Sequence, residues 1–485
     1  MADGSLSPRK RLSACIGAAV DGVDPWISGI AIDSRRVKRG DLFVACRGER
    51  TDGHRFVRDA VAAGAAAVVV DSQIDAVDVP VVRVADAQRE ASFVAGRFFD
   101  EPSRALRCVG VTGTNGKTSV TVHTAELLSR QGWRAAFGGT LGWGFEGRVC
   151  GSRLTTEDAV TLQRRLAELA RSGAAAVAME VSSHALAQHR ADGVALEVGV
   201  FTNLTRDHLD YHGSMERYGD AKRRLFDFPS MKAAVINVDD TLGMRLAREV
   251  RERMRVVTYG AAPDADIRWR NLVFDMDGVR GELATPWSNG PFAVPLYGEF
   301  AVANVAAALG AVGVLGADVA TAVEAARTLG AAPGRMQRVR RPGRPLVVID
   351  YAHTPDALTK ALDAARRHIG GRVICVFGCG GDRDRGKRPL MAAAVENAAD
   401  LAWVTNDNPR SEVPLNIAND VLGGFTGKIP VNVELDRQRA IELAIAAATP
   451  ADLVLVAGKG HEAYQEIGGQ RLPHSDLAAV EAVLR

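Results

Sequence analysis

A glycine-rich turn between an apolar strand and a helix can cradle phosphate, because backbone N–H groups and the positive end of the helix converge there. Residues Cys108 to Thr118, reading Cys-Val-Gly-Val-Thr-Gly-Thr-Asn-Gly-Lys-Thr, have that form, with a helical pattern over 119–130 behind them. Gly113, Thr114, Asn115, Gly116 and Ser119 would wrap the phosphates, Lys117 would reach their terminal charges and the Thr118 hydroxyl could ligate Mg²⁺. The spacing departs from the strict phosphate-loop pattern, since Val111 stands where its first glycine would be.

Further clusters surround that loop in sequence. Met179-Glu-Val-Ser-Ser-His184 sets Glu180 at the end of an apolar strand, where open α/β sheets bind ligands, and a carboxylate there suits the magnesium of a nucleotide. Phe201-Thr-Asn-Leu-Thr-Arg-Asp-His-Leu-Asp-Tyr-His212 ends another strand in a His-rich turn that carries His208. In Tyr218-Gly-Asp-Ala-Lys-Arg-Arg-Leu-Phe226, Lys222 has Leu225 and Phe226 at helical spacing. Two readings of Lys222 stay open: a surface ion-pairing lysine, or a buried one of lowered pKa that reacts with CO₂ to form a carbamate, an anion able to bind metal. Near the C-terminus, Asp407-Asn-Pro-Arg410 offers a guanidinium that can pair with a carboxylate in bidentate fashion.

The elements that must position these residues alternate short β-branched runs with Ala/Leu-rich amphipathic stretches, the pattern of an α/β fold with largely parallel sheets. Strands are expected at 66–70, 106–111, 176–180, 198–202, 233–237, 346–350, 372–378 and 453–457, each followed by a turn and a helix. The length of 485 residues suggests about three domains. Pro102 after a helical run and the Pro333-Gly334 to Pro342-Gly343 segment mark the breaks. They divide the chain into 1–101, 102–335 and 336–485.

Composition narrows the function classes. Lys+Arg 60 against Asp+Glu 58 leaves a net charge of +2, so no broad basic field exists to hold a nucleic acid or an anionic membrane, and anionic ligands need local sites. Apolar runs such as 60–70 are far short of the roughly 20 residues of a membrane helix, and Met1 to Val20 lacks the apolar core of a secretory leader; a cytoplasmic enzyme is expected. Cys15, Cys46, Cys108, Cys150, Cys375 and Cys379 lack paired zinc spacing and are expected to be small core residues.

Taken together, Gly-Thr-Asn-Gly-Lys-Thr, Met-Glu-Val-Ser-Ser-His, Thr-Asn-Leu-x-x-Asp-His-Leu-Asp-Tyr-His and the Ala-Lys-x-x-Leu-Phe helix resemble the ATP-dependent Mur ligases of peptidoglycan synthesis. The resemblance extends through Asp33-Ser-Arg35, Gly48, Asp52-Gly-His54, Pro333-Gly-Arg-Met336, Asp350-Tyr-Ala-His-Thr-Pro355, Gly378-Cys-Gly-Gly-Asp-Arg-Asp384, Asp407-Asn-Pro-Arg410 and Ala457-Gly-Lys-Gly-His-Glu462. It implies a three-domain α/β architecture, with a central P-loop-like parallel sheet and a C-terminal Rossmann-like domain. It implies an ATP- and Mg²⁺-dependent ligation of meso-diaminopimelate to a UDP-muramoyl dipeptide through an acyl phosphate, by a monomer with no nucleic-acid or membrane partner.

The same resemblance implies roles for particular residues. Lys117, Glu180, His208 and Lys222 would be catalytic, with Thr118, Glu180, His208 and carbamylated Lys222 serving the metals. Asn304, Arg335, Asp350 and His353 would join the phosphate loop around ATP. Ser34, Thr155, Thr156, Ser182, Gln188 and Arg190 would hold the uridine-muramoyl substrate, and Arg383, Asp407, Asn408, Arg410, Gly458 and Glu462 the diaminopimelate. Two positions depart from the family pattern: Glu157 stands where a proline is expected and adds a negative charge near an anionic substrate, and Ala301 replaces an asparagine after Phe300.

Other readings give different expectations. A folate-polyglutamate or D-alanyl-D-alanine ligase would share the phosphate loop but has no use for Asp33-Ser-Arg35 or for Arg410 respectively. A nucleotide-regulated switch would bind ATP without depending on a uridine nucleotide. A nucleic-acid-binding role lacks an aromatic-studded basic stretch.

Overall fold

In a computed structural model, residues 8–48 and 51–485 are described; of the segment 1–20 considered above, residues 1–7 lie outside them. The chain forms two compact units, Met1–Ile267 with Ala307–Ala322, and Arg268–Ala306 with Val323–Arg485.

The first unit opens with a 4-stranded parallel sheet, Gly29–Ala31, Asp41–Val44, Ala67–Val70 and Val81–Arg83 in chain order. The strands Asp41–Val44 and Ala67–Val70 are buried throughout, as parallel strands covered on both faces must be. The helix Ala87–Phe98 closes one face with Ala87, Ala91, Val94 and Phe98.

Its second sheet carries the phosphate loop. The parallel strands run in the order Ala135–Gly139, Ala176–Glu180, Arg107–Thr112, Val198–Phe201, Ala233–Asn237, Arg255–Gly260. Arg107–Thr112, first in the chain, thus sits between later strands on both sides, and the strand order reverses there. Ligands bind open α/β sheets in the crevice at such a switch point. The register levels the strand ends: Glu180 pairs with Val111, and Phe201 with Thr112. An antiparallel hairpin of Gly142–Phe145 and Arg148–Cys150 extends this sheet, and it was not foreseen.

The second unit holds a 6-stranded sheet ordered Gln337–Val339, Leu346–Asp350, Leu453–Ala457, Val373–Phe377, Leu401–Val404, Val431–Val433, parallel except for its first strand. Its register levels Asp350 with Ala457 and Phe377 with Val404, so the loops that follow these strands emerge along one edge. The antiparallel strands Ile267–Asp275, Gly278–Ala284 and Asn289–Val294, which lie from Arg268 onward in this unit but outside its 6-stranded sheet, escaped the sequence reading.

Several expectations need correction. Leu453–Ala457 is followed by the antiparallel hairpin Tyr464–Ile467 and Gln470–Pro473, not by a helix, and Ala67–Val70 leads into another strand. The phosphate-loop helix begins at Lys117, two residues before the expected 119, because the loop ends at Gly116 with its left-handed φ of 86°. Cys15, Cys108, Cys375 and Cys379 are buried, but Cys150 is exposed on its edge strand and Cys46 only partly buried. Among the described residues no helix is long and apolar enough to cross a membrane.

Candidate active site

The phosphate loop is laced to the strand beside it. Thr202 Oγ1 donates to Asn115 O at 2.6 Å, Thr114 N to Asn203 O at 2.8 Å, and Asn115 N to Asn203 Oδ1 at 3.0 Å. Gly113 has a φ of 148°, and a Cβ there would overlap the Thr202 hydroxyl, so both conformation and space require glycine. Lys117, the first helical residue, folds its Nζ back onto Gly113 O at 2.9 Å and Thr114 O at 2.8 Å. This holds an ammonium over the mouth of the loop.

Across the crevice, buried Glu180 accepts from Thr118 Oγ1 at 3.0 Å and from Thr140 N at 2.8 Å. The set is all oxygen and pairs a hydroxyl with a carboxylate, which suits a hard cation such as Mg²⁺. Thr156 Oγ1 donates to Glu180 O and accepts from Ser182 N, both at 2.9 Å, while Thr140 Oγ1 donates to Thr155 Oγ1 at 3.2 Å. Arg190 donates to Thr156 O at 3.0 Å and through Nε to Gln188 Oε1 at 2.9 Å. Thr155, Thr156, Ser182, Gln188 and Arg190, far apart in sequence, thus form one network beside Glu180. Ser34 does not join it, lying in a turn of the four-stranded sheet where Asp33 caps residues 34–36.

Lys222 is 1% exposed. Its Nζ lies 4.2 Å from the centre of the Tyr218 ring, one helical turn back, and the Tyr218 hydroxyl is 3.2 Å from Thr114 Oγ1. Burial, with the Lys117 ammonium second, drives the Lys222 amine well below its ordinary pKa. Its burial, with no carboxylate within ion-pair distance among the described residues, goes against the surface ion-pairing reading. His208 sits at the rim with a left-handed φ of 51°, its ring edge-on to His184 at 4.8 Å. Burial depresses the His208 imidazole despite the opposing charge of Asp207. No hydrogen bond or ion pair among the described residues joins Thr118 and Glu180 directly to His208 or Lys222, and no group of three or more His, Cys, Asp or Glu gathers as a metal cage.

The second unit gathers a separate set at its sheet edge. Asp350 accepts from Met336 N at 2.7 Å and Ala352 N at 2.8 Å; burial raises its carboxyl above the ordinary value, with Arg335 opposing. Arg335 lies 4.5 Å over the Tyr351 ring, and His353 Nδ1 is 2.8 Å from Tyr351 O. Asn304 is half-buried on the helix Glu299–Val314, three residues beyond buried Ala301. Buried Asn408 donates to Glu462 Oε2 at 2.9 Å. Asp407 approaches Gly458 so closely that a Cβ on the glycine would be 2.6 Å from its Oδ2. Arg410, with a φ of 53°, donates to Gly381 O at 2.7 Å. Arg383 is exposed.

Three family patterns match the chain: "Mur ligase family, catalytic domain" over 26–93, "Mur ligase middle domain" over 111–312 and "Mur ligase, glutamate ligase domain" over 334–460. A protein of Pseudomonas syringae pv. tomato named UDP-N-acetylmuramoyl-L-alanyl-D-glutamate--2,6-diaminopimelate ligase is 49% identical over 468 residues, covering 95% of this chain and 96% of its own. The chain belongs to the Mur ligase family. A protein of the same name from Chromobacterium violaceum is 48% identical, covering 94% of each chain. A solved structure of that name aligns with this Mur ligase at a TM-score of 0.75 and 36% identity over 98% of both chains.

Sequence reasoning missed several residues of this Mur ligase that shape its sites. Thr202 and Asn203 stood inside a motif already singled out, yet their contacts are made 87 and 88 residues away. Tyr218 was signalled only by its four-residue spacing from Lys222. Lys459 is 0% exposed, with Nζ at 2.9 Å from Asn408 Oδ1 and 2.8 Å from Glu462 Oε2, so Glu462 already carries one internal cation. The charge of Glu157 turns inward: the residue is 4% exposed and its carboxylate accepts from Ser152 Oγ at 2.9 Å and Arg153 N at 3.2 Å.

Proposed function

We propose that this Mur ligase joins meso-2,6-diaminopimelate to UDP-N-acetylmuramoyl-L-alanyl-D-glutamate, with ATP converted to ADP and phosphate. The D-glutamyl carboxylate attacks the γ-phosphorus, the bond to ADP breaks, and an acyl phosphate forms. The diaminopimelate amine then attacks the acyl carbon, a proton leaves the nitrogen, and phosphate departs. Segment 1–101 takes the uridine end through Ser34, 102–335 the ATP and the muramoyl peptide, and 336–485 the incoming amino acid.

The phosphate-loop backbone from Gly113 to Ser119 and Lys117 orient the phosphates, and most of the work is alignment and charge neutralisation. Thr118 and Glu180 would hold Mg²⁺, with His208 and carbamylated Lys222 at a second position; the metal supplies neutralisation of phosphate charge. Lys222, whose neutral form burial favours, would add CO₂ at Nζ and release a proton, so a neutral amine would become an anion beside the loop. Thr155, Thr156, Ser182, Gln188 and Arg190 anchor the muramoyl peptide near Glu180. Asn304, Arg335, Asp350 and His353 would add further contacts to the nucleotide.

Acceptor choice rests on one observation: Asp407, Asn408, Arg410, Gly458 and Glu462 collect along one sheet edge with a guanidinium among carboxylates. Diaminopimelate differs from lysine by a distal carboxylate, which Arg410 with Arg383 would pair while Asp407 and Glu462 take ammonium groups. The test is phosphate release from ATP with the UDP-muramoyl dipeptide, comparing meso-diaminopimelate with L-lysine, with product mass as readout. Dependence on the uridine nucleotide and on diaminopimelate is expected. Equal turnover with lysine refutes the acceptor reading, and release indifferent to the uridine nucleotide refutes ligation.

A further inference from the structure

Glu466 lies outside every motif described above, on the hairpin strand Tyr464–Ile467. Three of its groups touch the Asp407-Asn-Pro-Arg410 turn. Its backbone N–H donates to Asn408 Oδ1 at 2.9 Å, its carbonyl accepts from Arg410 N at 2.9 Å, and its carboxylate Oε2 lies 3.6 Å from Arg410 Nε. The turn is gripped from the other direction as well, since Gly468 N donates to Arg410 O at 2.7 Å and Arg410 pairs with Ile467 in a β-bridge.

These contacts divide into two kinds. The backbone contacts fix where Arg410 stands, in a left-handed conformation that a β-ladder must stabilise for a residue with a side chain. The carboxylate acts only on where the guanidinium points. Arg410 has one end committed to Gly381 O through Nη1 and its Nε edge facing Glu466. Both side chains are partly exposed, at 24% and 28%, so without Glu466 the long arginine chain would sample other rotamers at small enthalpic cost.

We propose that Glu466 is a specificity-determining positioning residue: its carboxylate holds the Arg410 guanidinium in the pose that receives the distal carboxylate of the acceptor amino acid. The inference rests on the acceptor reading of Arg410 given above. Because Glu466 acts through its side chain while its backbone secures the turn, Glu466→Ala leaves the ladder hydrogen bonds in place and the fold intact.

The experiment is steady-state ligation by Glu466→Ala, Glu466→Gln and Arg410→Ala, with meso-diaminopimelate and L-lysine as acceptors. For Glu466→Ala the KM for diaminopimelate is expected to rise about fivefold, the scale of a partly exposed ion pair, with kcat and the KM for ATP and for the uridine nucleotide unchanged. The KM for lysine stays put, so the selectivity ratio falls by the same factor. Glu466→Gln keeps the length and an acceptor oxygen, and recovers part of the loss. An unchanged diaminopimelate KM in Glu466→Ala, or an equal rise for lysine and ATP, overturns the proposal. Arg410→Ala separates the two failures: if it abolishes selectivity while Glu466→Ala does not, this inference alone falls; if it leaves selectivity intact, the acceptor reading falls with it.

Discussion

Thr118 Oγ1 donates to Glu180 Oε1 across 3.0 Å, joining two residues 62 apart in the chain at the point where the strand order reverses. The bond ties the phosphate-loop helix to the neighbouring strand and lines up two hard oxygen ligands. Glu180→Gln keeps the volume and one acceptor oxygen but removes the charge, so it separates packing from cation binding. Turnover is expected to fall by about 10²-fold or more while the melting temperature stays close to that of the parent. Phosphate release and a thermal melt on one preparation check this; full turnover in the variant would exclude Glu180 from the metal site.

Lys222 links burial to pH. Its folded pKa is well below the ordinary lysine value, so between those two values the unfolded chain binds the proton that the folded chain lacks. More protons on the unfolded state make stability rise with pH, and at neutral pH the buried amine is a cost. In CO₂-depleted buffer, Lys222→Met should therefore be more stable than the parent at pH 7, with the gap narrowing toward pH 10. Denaturant midpoints across that range test the sign. The same variant is expected to lose ligation, and added bicarbonate should stimulate the CO₂-depleted parent but not Lys222→Met.

What the sequence made legible follows from how each element is buried. Strands 176–180, 233–237, 346–350 and 453–457 were read to the residue, because a covered parallel strand is a continuous apolar run. The antiparallel strand Ile267–Asp275 hid because exposed Arg268 and Arg270 alternate with buried Ile267 and Trp269, and its register slips between Arg270 and Val273. In the site, Lys222 was visible through its apolar helical neighbours, yet the grip of Lys459 on Asn408 was not, since the partners are 51 residues apart. Local pattern reports burial, whereas the pairing of buried polar groups depends on which strand ends become neighbours.

His184 packs among rings, 4.8 Å from His208 and 4.2 Å from Tyr211. Burial, aided by the charges of His208 and His212, depresses its imidazole to about 4. The unfolded histidine titrates near 6.5, so this contribution is complete above that pH and is lost as pH falls from about 6.5 to about 4. An NMR titration should find the His184 ring still mostly neutral at pH 5 and protonating only near pH 4, and His184→Gln should show a shallower loss of stability across the window. A ring that protonates near pH 6.5 would contradict the packing argument.

Arg437 and Asp476 form an ion pair in which both side chains are 0% exposed, with Nε–Oδ1 and Nη2–Oδ2 distances of 2.7 Å. Arg437 also donates to Ala457 O at 3.0 Å and Asn406 O at 3.3 Å, the carbonyls immediately before Gly458 and Asp407. Removing one partner strands a charge: Arg437→Met should destabilise by about 3–5 kcal/mol, whereas an apolar replacement of both partners can be nearly neutral. The double variant Arg437→Met/Asp476→Leu is therefore expected to recover most of the stability lost by the single one. It cannot restore donors to the two carbonyls, so the loops bearing Asp407 and Gly458 lose their common anchor even in a stable protein. The double variant should accordingly combine a near-parental denaturant midpoint with a KM for diaminopimelate raised several-fold, while the KM for ATP is unchanged. A double variant as unstable as the single one would show that the guanidinium serves the two carbonyls more than its carboxylate.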